Sequence, residues 1–287
     1  LPPDTQLAVS TDTLVSGVHF FPDMDPVDLG YKALAVNLSD LAAMGAEPRW
    51  VSLALTLPAI NERWVAGFAE GFLELAEYYN VALVGGDMTR GPLSITVSVK
   101  GSVPAGRALM RSGAKAGDGV YVTGTLGDAA LALSHLLGKR TLNENQLAAV
   151  LPRLDHPHPR ILAGQALRGL ASSALDLSDG LASDLGHILK ASGVRAQIDL
   201  DLLPLSPVLQ DAVPAMDAWQ LALAGGDDYE LCFTVPQEHH GALDTALANC
   251  GVKFTRIGRI LAGEPGIDYL QDEQPVELHL KGWDHFA

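Results

Sequence analysis

The chain has 287 residues, 48% of them hydrophobic and 18% charged, which supplies the apolar material for two packed domains and argues against disorder. A formal net charge of -15 argues against nucleic-acid binding and suits a protein that gathers carboxylates around cations. The longest apolar runs, such as residues 51–57 and 129–133, fall far short of a membrane span, and no charged start followed by an apolar segment marks a signal peptide.

The two cysteines, Cys232 and Cys250, sit in apolar stretches without ligand partners. A disulfide framework or zinc site is not expected, and a cytoplasmic location fits. The chain opens at Leu1-Pro2-Pro3 with no Met, so a missing N-terminal piece is expected.

In chain order, residues 7–15 read as a strand. Asp25-Pro26 marks a helix start, with Pro at the first helical position, and residues 27–44 carry apolar side chains at helical spacing up to Gly45. Residues 51–57 alternate as a strand. Asn61 can cap a helix running to Tyr79, and residues 81–84 form a short strand leading into Gly85-Gly86-Asp87. Residues 94–103 alternate as a half-buried strand. This order predicts an α+β unit, with a basic, Gly-containing connector at 104–115. Beyond it come a strand at 119–123, a turn at 124–127 and a helix to Leu137. Residues 143–170 read as helical, interrupted at His156-Pro157-His158-Pro159. Further strands are predicted at 174–175, 196–199, 230–235 and 253–261, and helices at 181–191 and 241–249. Two α/β-type domains side by side, divided as residues 1–113 and 114–287, are the expected organisation.

The aspartates fall in an unusual pattern. They occur in Ser10-Thr11-Asp12-Thr13, Asn37-Leu38-Ser39-Asp40, Gly85-Gly86-Asp87, Asp176-Leu177-Ser178-Asp179-Gly180 and Gly225-Gly226-Asp227-Asp228. Each alone reads most simply as a turn former or helix cap. Together they suit a hard cation, because magnesium takes oxygen ligands and shares phosphate oxygens and water. Carboxylates converging without a cation would repel one another. The paired glycines would let a backbone approach a phosphate closely. Asn37 and Asp40 share one helix face with Ala33 and Met44, as a buried hydrogen-bonding pair or as a site wall. The P-loop, protein-kinase and Gly-x-Ser-x-Gly motifs are absent. Phosphoryl transfer needs no covalent nucleophile, only positioning and charge neutralisation.

On these segments, together with Tyr31–Gly45 read as YKALAVNLSDLAAMG, Arg111-Ser112-Gly113-Ala114 and the ending Gly282-Trp283-Asp284-His285-Phe286, the sequence resembles the thiamine-monophosphate kinase family over nearly its whole length. That family resemblance implies ATP-dependent conversion of thiamine monophosphate to thiamine diphosphate by direct γ-phosphoryl transfer. The implied fold is that of aminoimidazole-ribonucleotide synthetase relatives, with an N-terminal α+β domain that pairs in a homodimer and a C-terminal α/β domain. By the same resemblance, Ser10, Thr11, Asp12, Asp40, Asp87, Asp176 and Asp179 would bind several Mg2+ ions, with Asp12, Asp87 and Asp179 central to catalysis. Gly86, Asp87, Arg111 and Ser178 would contact ATP, and His19, Asp227 and Trp283 the thiamine phosphate. Two departures stand out. Nothing before Leu7 matches the family's upstream Gly-Asp-Asp-type motif, and Asp227 stands where the family often has Glu.

Overall fold

The computed structural model describes residues 1–278 and 280. The N-terminal part runs β1 (Thr5–Val15), α1 (Pro26–Ala43), β2 (Glu47–Leu57), α2 (Glu62–Tyr78), β3 (Ala82–Arg90) and β4 (Ser94–Pro104). The predicted helix starts are formed by their caps. Asp25 accepts from the Val27 amide ahead of Pro26, and Asn61 accepts from Arg63 and Trp64. The strands make one sheet in the order β1-β4-β2-β3. Only β2 and β3 run parallel. α1 and α2 cover one face through Leu34, Leu38, Phe68 and Phe72 against Val51, Ile95 and Val97.

β3 departs from the sequence reading. It does not stop before the glycine pair; the pairing with β2 continues through Gly85, Gly86 and Asp87 to Arg90 opposite Leu57. A register shift at Val51/Ser52 leaves Val84 unpaired, while Gly85 and Gly86 stand opposite Ser52 and Leu53. Asp12 lies within β1, as read.

The second part runs β5 (Gly119–Thr123), α3 (Asp128–Leu136), α4 (Glu144–Asp155), α5 (Ile161–Ala166), β6 (Ser173–Asp176), α6 (Leu181–Ser192), β7 (Arg195–Asp199), α7 (Pro207–Ala212), α8 (Ala215–Ala224), β8 (Leu231–Val235), α9 (His240–Leu247), β9 (Phe254–Leu261), β10 (Gly266–Gln271) and β11 (Gln274–Val276). Its seven strands order as β11-β10-β7-β9-β5-β8-β6, with β10 and β7 the parallel pair. α7, α8, β10 and β11 have no counterpart in the sequence reading. Three prolines at 204, 207 and 214 make that region look like loop, yet Pro207 occupies the first turn of α7 behind the Ser206 cap.

The N-terminal core does not end at the connector. Ile161, Ala163, Leu167, Tyr121 and Phe233 belong to the same buried cluster as α1 and α2. α5 approaches α1 so closely that a Cβ on Gly164 would lie 1.9 Å from the Ala42 carbonyl oxygen. Among the described residues, no helix is long and apolar enough to cross a membrane.

Candidate active site

The acidic segments meet where α1 passes between β1 and the second domain. Alternation along β1 sends Ser10 and Asp12 toward α1. Ser10 Oγ donates to Asp40 Oδ2 at 2.7 Å. The Asp12 amide donates to Asn37 Oδ1 at 3.1 Å, and Asn37 Nδ2 donates to the Ala33 carbonyl at 2.9 Å. Asn37 is thus the buried hydrogen-bonding partner, and Asp40 is the wall of the cleft. Ser10, Asp40, Arg111 and Asp176 line one open cleft above Leu109 and Met44.

Its electrostatics are those of crowded carboxylates. Asp40 is pushed up to about 8, first by burial and then by the Asp176 and Asp12 charges, against the Ser10 hydrogen bond. Asp12 is raised by partial desolvation and by Asp179, while its hydrogen bond with Asp40 and the nearby His19 pull it down. Asp176 is raised by burial and by Asp12; the Ser39 hydroxyl and Arg111 oppose this.

Two loops of the second domain close the other side. Asp176 ends β6, and residues 177–180 turn into α6. Asp184, 5% exposed, reaches back from α6 so that its Oδ2 accepts the Asp179 amide at 3.0 Å. Burial raises Asp184 to about 7. Residues 225–230 lie on this turn. The Asp227 amide donates to the Ser178 carbonyl at 2.9 Å, the Tyr229 amide to Leu177 at 2.8 Å, and the Leu177 amide to Glu230 at 2.8 Å. Gly226 permits this, because a Cβ there would meet the Ser178 oxygen at 2.5 Å. Ser178 and Asp227 are therefore held together by backbone bonds.

Ser10, Asp40, Asp176 and Arg111 thus line one cleft, Asp12 lies near enough to Asp40 and Asp179 to feel both, and Ser178 is bonded to Asp227. His19 accepts the Val15 amide on Nδ1 at 3.0 Å, and its ring is close enough to Asp12 to lower that carboxyl. Thr11 points to the opposite sheet face, where its Oγ1 donates to Ser98 Oγ at 2.9 Å. Gly86 and Asp87 stand apart. Asp87 pairs with Ala54, Ala54 with Thr96, and Thr96 with Thr13, so Asp87 shares a face with Thr13 and not with Asp12. β3 is also three strand spacings from β1, about 14 Å. Trp283 lies outside the described residues.

The sequence reading did not single out Lys32, Asp184, Tyr229 or Glu230 individually for site roles. A lysine inside an otherwise apolar helical run was the available signal for the first; the others depend on contacts distant in sequence.

Two family models cover most of the chain: the N-terminal domain of AIR synthase related proteins matches residues 1–103, and their C-terminal domain matches 115–269. The thiamine-monophosphate kinase of Escherichia coli K12 is 57% identical over 100% of this chain and 89% of its own length. That of Bacillus subtilis 168 is 37% identical over 98% and 88%. The crystal structure of thiamine-monophosphate kinase from Stenotrophomonas maltophilia K279a superposes with a TM-score of 0.89 at 45% identity, covering 96% of this chain and 88% of that one. A structure of AaThiL complexed with AMPPCP and TMP gives 0.85 at 34% identity, over 99% and 88%. This chain belongs to the thiamine-monophosphate kinase family of AIR synthase related proteins.

Proposed function

We propose that the chain transfers the γ-phosphoryl group of ATP directly to the phosphate of thiamine monophosphate, giving thiamine diphosphate and ADP, in the cytoplasm. The observation that carries this reading is the cleft of carboxylates with Arg111, among whose described lining residues none is an activated nucleophile. The acceptor is already an ionised phosphate, so a strong general base is unnecessary.

The donor set fits magnesium. All its ligating groups are oxygens, and Asp12, Asp40 and Asp176 are raised first by burial and then by the charge of neighbouring carboxylates, both of which a bound cation offsets. Among the described residues, no three His, Cys, Asp or Glu side chains are grouped to hold one ion alone. This suits an ion that takes its remaining oxygens from water and phosphate. Ser10, Asp12, Asp40, Asp176 and Asp179 would hold such ions, which would neutralise charge on the phosphates. Arg111 and Ser178 would meet ATP at the same end, while His19, Asp227 and Trp283 would meet the thiamine phosphate.

Thiamine diphosphate formed from ATP and thiamine monophosphate, followed by phosphorus NMR, is the expected product. Transfer of a chiral γ-phosphoryl group is expected to invert configuration at phosphorus. Retention would indicate a phosphoenzyme; ATP cleavage only with some other acceptor would reject the substrate.

Gly86, Asp87 and Thr11 enter the reading through a homodimer. Leu7 and Val9 on β1, 51% and 49% exposed, stand with Thr13 and Asp87 on the face of the sheet that the helices leave open, and Val84 at the β3 bulge is 57% exposed. Pairing two such sheets would bring β3 of one copy beside β1 of the other, and so Asp87 to the partner's carboxylates. Val9→Glu combined with Val84→Glu is expected to give a monomer by sedimentation and to lower turnover at least a hundredfold. A monomer with full activity would remove Asp87 from the metal set.

A further inference from the structure

Lys32 is the charged residue that α1 carries into its buried side. It is 3% exposed, and its Nζ lies 3.6 Å from Asp227 Oδ2. Its charge is also felt by Asp155 at the end of α4, beside Asp28, His156 and Asp227. Lysine seldom leaves water unless a partner compensates, and an apolar side chain would fill this place in the helix more simply.

The partner is itself unusual. Asp227 has a φ of +68° and Tyr229 a φ of +47°, a left-handed backbone that persists in non-glycine residues only when the surroundings enforce it. Asp227 is fixed from two directions. Its amide bonds to Ser178 and Lys32 supplies the counter-charge. Lys32 also lies seven residues before Ser39, on the same helix stripe and about 10 Å along the axis. One helix therefore places Ser39 near Asp176 and, two turns earlier, Lys32 beside Asp227.

We propose that Lys32 is a positioning residue for the acceptor end of the site: it fixes the Asp227 carboxylate in the direction in which that group meets the thiamine phosphate. This rests on the reading of Asp227 as a substrate contact. The test is a double-mutant cycle of Lys32→Met, Asp227→Asn and the pair, with Lys32→Arg alongside, read as separate KM values for ATP and thiamine monophosphate, with a melting curve for each variant. Lys32→Met is expected to raise the KM for thiamine monophosphate about tenfold and leave that for ATP within about twofold. The double variant is expected to be no worse than Asp227→Asn alone, and Lys32→Arg to recover part of the loss. Losses that multiply in the double variant, an unchanged KM in Lys32→Met, or equal rises in both KM values with a lowered melting temperature overturn the role of Lys32. If Asp227→Asn itself leaves the KM for thiamine monophosphate unchanged, the substrate reading of Asp227 fails, and this role with it.

Discussion

Asp40→Asn is expected to stabilise the ligand-free protein at pH 8 while removing nearly all phosphoryl transfer. Asp40 is pushed up to about 8, by burial first and then by Asp176 and Asp12, whereas an unfolded aspartate titrates near 4. The folded state therefore binds this proton more tightly. The stability it contributes is complete below about pH 4 and is lost as pH rises through about 8. Asparagine mimics the protonated form at every pH. Its Oδ1 can accept from Ser10, and its amide N–H can donate to Asp12, the two groups that Asp40 now bonds. The gain should be near zero at pH 4 and on the order of 2 kcal/mol at pH 8, after discounting for solvent access. That corresponds to a rise of about 5 °C in Tm. The same change deletes a charge that would hold magnesium, so turnover should fall roughly a thousandfold. Melting curves at the two pH values, without magnesium, and single-turnover rates check both halves. A lower Tm at pH 8, or turnover within tenfold of the parent, would contradict them.

The second large effect is expected at Glu230, whose side chain is 1% exposed. Arg160 grips it with two bonds of 2.6 and 2.5 Å, Arg153 adds one of 2.6 Å, and Thr123 Oγ1 donates at 2.6 Å. Burial alone would raise this carboxyl; Arg160 and Arg153, helped by Thr123, more than offset it and hold it below its usual range. Glu230→Ala would leave two guanidinium groups beside an empty space. Breaking one side of such a buried pair costs about 3–5 kcal/mol, a fall in Tm on the order of 10 °C. Because the folded value is depressed, the native contribution is present above the unfolded value near 4 and is lost as pH falls through the folded one. The deficit of the alanine variant should therefore narrow in acid. A loss below 1 kcal/mol by denaturant titration at neutral pH would show that the arginines find other partners.

The legible parts of the molecule are those written in local sequence. Asp25-Pro26 and Asn61 mark helix starts that form as read. The alternation of residues 94–103 gives β4 its buried face of Ile95, Val97 and Val99. The nearness of Asp40 and Asp176, which line one cleft, was visible as repeated Ser/Asp chemistry. The position of Asp87 was not, because strand order and facing are set by long-range pairing, and β3 sits on the far edge behind β2 and β4. The same holds for Glu230. Its arginines lie 70 and 77 positions away, and no local pattern joins them. The helices after Pro204 were hidden because proline reads as a breaker unless the cap before it is recognised.

The contact between Gly164 and Ala42 bears on motion. With helix backbones in direct van der Waals contact and a shared core on either side, the two halves have no room to swing like jaws. A domain-closure step of the kind that limits many kinases has little scope between halves packed in this way.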